Sequence, residues 1–230
     1  MKSAILIVFM AILIASGASG ADFQWPSQMN IGGFQITDIR GTVSPNGSGS
    51  ATGTLQVQNL GNVGVRLARS VRGDISGATS IDMRGVRGSF TLSNSGLRGQ
   101  GTVDCAPKSI VNASISINPR GEASGSGRLE LGRLSPSVDF SVSNSSCSFR
   151  GSTPVRAQVD TAIASYKFDG TLGVQGGGGR VSGTVSGRVE RTSKVANQVT
   201  SFAIPNTSVD VSKGQCTVNV GGVSVTFSLF

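Results

Sequence analysis

The sequence predicts an all-β protein: an antiparallel, extended curved sheet or a β-sandwich of many short strands, with at most one short helix. Apolar and polar residues alternate with a period of two along most of the chain, as at Val138, Phe140 and Val142. The breaks between the alternating runs carry turn residues, such as the PNG sequence at residues 45–47. Alternation of this kind gives each strand one buried and one wet face, which is typical of antiparallel sheets.

Residues 1–21 are predicted to be a signal peptide. Lys2 gives a positive start, residues 4–15 are apolar, and small residues follow with cleavage expected after Gly20 or Ala21. The apolar run of about 12 residues is shorter than the roughly 20 that a membrane-spanning helix needs. We therefore expect an exported protein, periplasmic or extracellular and associated with the cell envelope; a retained anchor is the alternative. Residues 22–230 are then one β-rich domain, with a possible subdivision near residues 150–170.

Alternation and residue type together predict the individual strands. The clearest strand signals lie at residues 55–57, 65–67, 90–92, 111–117, 129–131, 138–142 and 172–174. Turn signals lie at residues 45–47, 94–96, 118–121 and 176–179. The clearest hairpin is at residues 218–229, where Gly221-Gly222 separates two alternating runs. A Gly-Gly loop is typical of a tight type I′ turn because both of its positions need positive φ.

One segment favours a short helix over a strand. Thr153 could cap it, and Pro154 suits the first helical position. Apolar residues at helical spacing follow, namely Val155, Val159, Ala162, Ile163 and Tyr166. The alternative is a strand, since Val155, Ala157 and Val159 also alternate.

The three cysteines allow at most one disulfide and one leftover thiol in an exported chain. A bond between Cys105 and Cys147 would close a loop of about 43 residues and stabilise the fold by about 4 kcal/mol in the chain-entropy model. The alternative is that Cys105, Cys147 and Cys216 are all small apolar strand residues. Stability is expected to come from a packed core.

The chain is basic, with a formal net charge of +8. Such a balance favours anionic partners: lipid headgroups, acidic glycans or nucleic acid. The densest basic stretch, opposed only by Asp74 and Asp82, is a candidate anionic-partner patch of Arg66, Arg69, Arg72, Arg84, Arg87 and Arg98. Arginine forks pair well with phosphate and carboxylate. The alternative is a solvated strand face on which arginine guards sheet edges.

The apolar side of the alternating strands has two interpretations. Its residues line either an apolar groove or an ordinary core, and they are Phe34, Ile36, Leu55, Val57, Ile115, Ile117, Val138 and Phe140. A groove would suit a lipid, whereas a core would leave only the polar side of the strands for a partner.

Catalytic chemistry is not expected. The sequence has no His, which removes the usual general base and the commonest metal ligand. It has neither a Gly-x-Ser-x-Gly elbow nor a phosphate-binding glycine loop, and its acids are scattered singly. We therefore predict no enzyme, no catalytic or metal site and no cofactor. A nucleic-acid partner is not expected either, since Trp25 and Tyr166 are the only residues of their types for bases to stack on.

A pattern of Gly and polar residues followed by Gly-Thr-Val/Leu or Gly-Arg-Leu/Val and an alternating strand recurs along the chain, as in residues 39–43 (IRGTV), 125–131 (GSGRLEL) and 181–189 (VSGTVSGRV). This pattern, over about half of the mature chain, resembles bacterial AsmA-like envelope proteins and the related protein N of the type II secretion system. The resemblance implies long, curved antiparallel sheets facing the periplasm. In some AsmA-like proteins it also implies an apolar groove that carries lipid between membranes.

These observations favour a non-catalytic, exported cell-envelope protein that binds an apolar or anionic partner. Its function would be lipid binding, or an accessory role in secretion or transport, and other envelope proteins are further candidate partners. A secreted structural or adhesive surface protein is the alternative, because Ser/Gly/Thr-rich β chains are typical of fibres and surface layers. A small outer-membrane β-barrel is a third alternative, prompted by Phe230.

Overall fold

The structure is a computed structural model that describes residues 23–132, 134–144, 146–211 and 214–228. The signal peptide predicted for residues 1–21 lies outside the described residues, as does Phe230. The strands are β1 (Met29–Ile31), β2 (Phe34–Val43), β3 (Gly49–Val57), β4 (Gly61–Arg69), β5 (Ile75–Met83), β6 (Val86–Ser93), β7 (Gly96–Cys105), β8 (Lys108–Ile117), β9 (Ala123–Leu129), β10 (Ser137–Ser143), β11 (Ser146–Asp160), β12 (Ala164–Gly177), β13 (Arg180–Ser193), β14 (Val199–Val209), β15 (Gln215–Val220) and β16 (Val223–Ser228). Within these ranges no helix is long and apolar enough to cross a membrane.

Strands β1–β14 form one open antiparallel sheet in which every strand pairs with the next one in the sequence. Strands β1 and β14 are therefore the edges of this sheet, and β15 and β16 form a separate two-stranded sheet. The predicted all-β antiparallel class is confirmed. Short turns suffice for all of these connections because each strand needs to reach only its immediate neighbour.

The alternation in the sequence gives the sheet two different faces. We call the face that carries the buried apolar side chains the inner face, and the opposite one the outer face. The sheet curls so that strands far apart in sequence meet: the amide of Gln58 donates to the carbonyl of Pro119 at 3.2 Å, and the Asn59 side chain donates to Asn144 at 3.4 Å. A disulfide between Cys105 and Cys147 joins β7 to β11. The curled sheet thereby covers part of its own inner face.

The β15–β16 hairpin covers the inner face of the last strands of the sheet. The rings of Phe227 and Phe168 lie 5.6 Å apart, and Gly221 lies beside the ring of Phe202 on β14. The predicted Gly-Gly turn is confirmed, because Gly221 and Gly222 join the two strands with φ angles of 58° and 82°. The two layers together bury one continuous apolar cluster.

The short helix predicted from Pro154 is wrong, because this segment belongs to β11 and the turn after it. β11 pairs with β12 along its length, from Ser148 opposite Gly177 to Asp160 opposite Ser165. The segment forms a strand because a strand lets Val155 pack on the inner face while its backbone pairs with β12. A helix would leave the backbone groups on that edge of β12 unpaired. Ile163, which the helical spacing would have packed, is 60% exposed in the turn.

A β-bulge interrupts the strand expected at residues 111–117. Alternation places Val111 on the same face as Ala113, Ile115 and Ile117, but the register shifts between Val111 and Ser114. Asn112 has a φ of 49° at this position, in the left-handed region that Asn tolerates. As a result Ile110 is fully buried in place of Val111.

Candidate functional site: the polar outer face

The residues predicted to line an apolar groove or a core belong to the packed core. Each of the eight is at most 5% exposed, and all of them belong to the continuous apolar cluster. They lie on the inner face of the sheet, in Phe34, Ile36, Leu55, Val57, Ile115, Ile117, Val138 and Phe140. The outer face is therefore the larger surface that the fold leaves for a partner.

The six arginines of the predicted patch do not form one cluster. Arg66 on β4 and Arg98 on β7 are both exposed on the outer face, in a single cross-strand register that runs through Ala78 and Thr91. Adjacent strands lie about 4.8 Å apart, so these two arginines are separated by about 14 Å along the sheet. They are the part of the patch that the structure aligns.

The other four arginines have different surroundings. Arg69 donates to the carbonyl of Gly47 and has its guanidinium 4.4 Å from the centre of the Phe23 ring. Arg87 forms an ion pair with Asp104 at 2.9 Å. Arg72 and Arg84 lie in the turns at the two ends of β5, about 30 Å apart if the strand is extended. The register of the sheet thus disperses residues that are close in sequence.

The strand register builds two long polar rows on the outer face. The central row crosses twelve strands through Arg40, Thr52, Arg66, Ala78, Thr91, Arg98, Ser116, Ser124, Ser141, Ser148, Gly177 and Arg180. Beside it, the second row crosses nine strands through Ser80, Ser89, Gln100, Ser114, Ser126, Asp139, Arg150, Gln175 and Ser182. All of these residues except Gly177 are exposed. At the usual strand spacing the central row follows the curved sheet for about 50 Å.

The central row carries positive charge without compensating acids. Arg40, Arg66, Arg98 and Arg180 are its charged members, and it contains no Asp or Glu. Among the described residues the ion pairs are Arg87–Asp104, Arg156–Asp169 and Lys194–Asp160, and none of them involves either row. The four guanidinium groups of the central row are therefore available to an anionic partner.

Several open depressions include residues of this face. One, of about 510 Å³, contains Arg66, another, of about 520 Å³, contains Arg98, and another, of about 440 Å³, contains Arg156 and Arg188. A further depression, of about 600 Å³, lies across β10–β13, and we call it the β10–β13 groove. Its outer-face lining consists of Asp139, Ser141, Ser148, Arg150, Gln175, Gly177, Arg180 and Ser182. Hydroxyl, amide, carboxylate and guanidinium groups thus converge in one open groove.

The described residues offer no metal site, since they contain no group of three or more Cys, Asp or Glu side chains that could hold an ion. Cys105 and Cys147 are bonded to each other, and Cys216 is a free, buried thiol. The chemistry of the outer face is that of hydrogen bonding and charge pairing.

Sequence reasoning missed most of the outer-face residues. It selected arginines by their density along the chain, and so omitted Arg40, Arg150 and Arg180 together with the serines of β8–β11. The polar parity of each strand was visible, but which polar residues align depends on the register of fourteen strands. Nothing in the sequence singled out Gly177, because its importance lies in the side chain that it lacks.

The function of this chain is inferred from its outer face and not from a known relative. No family model, no curated protein and no solved structure matches this chain. The resemblance to AsmA-like proteins and to protein N of the type II secretion system therefore stays a prediction from the quoted residues.

Proposed function

We propose that this chain is a non-catalytic, exported protein of the cell envelope whose outer sheet face binds an anionic glycan. The observation that carries this proposal is the central row, which aligns Arg40, Arg66 and Arg98 with serine and threonine hydroxyl groups and contains no acid. A surface of this kind offers repeated donors to a partner that carries repeated negative charges.

The spacing of the arginines suits a polymer better than a single small anion. Arg40 and Arg66 are two strands apart, about 10 Å, and Arg66 and Arg98 are three strands apart, about 14 Å. One guanidinium pairs with one carboxylate, and an exposed pair of this kind contributes only about 0–1 kcal/mol. A glycan polymer that binds several arginines at once gains affinity from their combined effect.

The apolar alternative has less support from the geometry. The residues that would line a lipid groove are packed against one another, so that the sheet presents polar side chains to a partner. A lipid partner would then bind to the same arginines through an anionic headgroup. Vesicles of anionic lipid are for this reason a separate arm of the experiment below.

The experiment compares two triple variants of equal charge. R40Q/R66Q/R98Q removes three arginines of the central row, and R72Q/R84Q/R120Q removes three from turns. Immobilised polygalacturonate at low salt is the probe, with neutral dextran and anionic lipid vesicles as comparisons. We expect about a tenfold loss of polygalacturonate affinity for the row variant, equivalent to about 1.4 kcal/mol, and less than about a twofold loss for the turn variant.

Two results would overturn the proposal. Equal losses in both triple variants would show that net charge, and not the aligned row, drives binding. An unmodified protein that binds neither polygalacturonate nor vesicles at low salt would leave the outer face without an anionic partner. Binding to vesicles alone would replace the glycan with a membrane surface.

A structural or adhesive role is a second candidate, favoured by the open edge of the sheet. Among the strands that the structure describes, β14 (Val199–Val209) pairs only with β13, and an unpaired edge can accept a strand from a second copy. Pro205 lies on this strand, however, and proline is a common means of limiting edge pairing. Sedimentation over a hundredfold concentration range separates the roles: assembly supports the structural role, and a persistent monomer contradicts it.

A further inference from the structure

We propose that the β10–β13 groove is a subsite for one acidic sugar unit, with the carboxylate held between Arg150 and Arg180 and the sugar hydroxyl groups over Ser141 and Ser148. This inference rests on the proposed function and names the ligand chemistry of that face. The groove has a volume of about 600 Å³, within the range of about 300–1,000 Å³ that is usual for small-ligand sites.

Gly177 opens the floor of the groove. It stands in the central row between Ser148 and Arg180, where its neighbours carry side chains and it carries none. A Cβ at residue 177 would meet its nearest atom, the carbonyl oxygen of Cys147, at 3.5 Å, which is an ordinary contact. The position therefore tolerates a side chain, and the space above it is open because the residue is glycine.

The basic residues stand on either side of this opening. Arg150 on β11 lies in the second row and Arg180 on β13 lies in the central row, so that Gly177 on β12 is between them. Neither guanidinium belongs to any ion pair of the described residues. Charge-assisted donors that converge on an open floor favour a carboxylate ligand.

Asp139 distinguishes a sugar acid from a simple anion. It lies directly across from Arg150 in the register, yet these two described residues form no ion pair. An ionised carboxylate only accepts hydrogen bonds, so its ligand partner has to donate one. Fully ionised phosphate and sulfate have no donor to offer, whereas sugar hydroxyl groups do.

The remaining polar groups fit the same ligand. The hydroxyl oxygens of Ser141 and Ser148 lie 2.9 Å apart and can each donate or accept, and Gln175 adds an amide between Arg150 and Ser182. Mixed donors and acceptors of this kind match a ring that carries several hydroxyl groups. The groove thus matches a uronic acid in charge and in hydrogen bonding.

The test compares a tryptophan at two positions of the outer face. G177W fills the floor of the groove, where a new Cβ meets only ordinary contacts, whereas Q56W adds the same ring at an exposed position of β3 that lines none of the depressions described above. Isothermal titration with trigalacturonate is the measurement, with maltotriose and inorganic sulfate as comparison ligands. We expect the unmodified protein and Q56W to bind trigalacturonate alike, G177W to lose at least tenfold in affinity, and the comparison ligands to bind more weakly.

A second pair of variants keeps the proposal testable if G177W fails to fold. R150Q/R180Q removes both guanidinium groups of the groove, and R72Q/R84Q removes two from the turns at the ends of β5, outside the depressions described above. We expect the groove pair to lose trigalacturonate binding and the control pair to keep it. Equal affinity in R150Q/R180Q and R72Q/R84Q would overturn the subsite.

The outcomes separate this inference from the proposed function. Polygalacturonate binding that depends on the central row but is unchanged in G177W and in R150Q/R180Q would overturn the subsite and leave the proposed function standing. Sulfate binding as tight as trigalacturonate binding would overturn the assignment to a sugar. An unmodified protein that binds neither the trimer nor the polymer would overturn both.

Discussion

The ring of Phe149 lies over Gly176, its direct cross-strand partner, in the space that a side chain at residue 176 would occupy. The inner face repeats this relationship, since Phe90 lies across from Gly99 with a ring atom 2.6 Å from where a Cβ would stand. The inner-face glycines of these strands therefore make room for phenylalanine. Glycine normally weakens a strand, and here the ring that covers it compensates for the missing side chain.

This relationship predicts opposite behaviour for two adjacent glycines. G176A places a methyl group against the Phe149 ring on the inner face and should lower the free energy of unfolding by about 1–3 kcal/mol. G177A meets only ordinary contacts on the outer face, and should leave stability unchanged or raise it slightly. Urea unfolding followed by circular dichroism measures both. Similar stabilities for the two variants would contradict the packing described for Phe149.

Much of the fold could be predicted from the sequence, because the alternation of apolar and polar residues within each strand shows which residues face the core and which face the solvent. The positions of Leu55, Val138 and Phe140 on the buried face follow from alternation alone. Alternation cannot predict a bulge, which is why Ile110 rather than Val111 is buried. The helix expected from Pro154 failed for a related reason, since local spacing does not show that β12 is there to pair with.

The candidate site was far less predictable, because it is a product of register. Ser116 and Arg180 belong to the same row although they are far apart in sequence, and five successive strand pairings must all be correct to align them. An error of one residue in any pairing moves the following side chains to the other face. The sequence-based patch was chosen by the density of arginines along the chain. The strands of the folded sheet then separate these arginines from one another.

The disulfide should contribute substantially to stability. Cys105 and Cys147 are 42 residues apart and join β7 to β11, which are not neighbours in the sheet. A loop of this length corresponds to about 4 kcal/mol in the chain-entropy model. We expect C105A/C147A to lose about 3–4 kcal/mol of unfolding free energy in urea. Reduction of the unmodified protein should lower stability in the same direction, and an unchanged midpoint in both experiments would contradict this.

The third cysteine should be unreactive in the folded protein. Cys216 is buried between the hairpin and the sheet, and this desolvation raises the pKa of its thiol above the ordinary value of 9.0. The reactive thiolate is therefore scarce at pH 8. We expect Ellman's reagent to detect no thiol under native conditions and one thiol per chain in denaturant. Rapid native labelling would show that the hairpin opens readily.

Asp160 should titrate below its ordinary pKa of 3.8, chiefly because the Gln158 side chain donates a hydrogen bond to it at 2.9 Å. Ser165 lowers the pKa further, and Lys194, with its Nζ 3.8 Å from Oδ1, contributes less. The folded state thus favours the ionised form. The stability that Asp160 supplies is complete above pH 3.8 and is lost as the pH falls through the lower folded-state pKa.

Two variants rank these causes. Q158A should raise the pKa of Asp160 further toward 3.8 than K194A does, because the hydrogen bond lowers it more than the charge does. Carboxyl chemical shifts recorded by NMR between pH 2 and pH 6 measure both. The surface position screens the lysine charge, so added salt should reduce the effect of K194A and leave that of Q158A nearly intact. A larger shift in K194A at low and high salt would reverse the ranking and make the ion pair the dominant contact of Asp160.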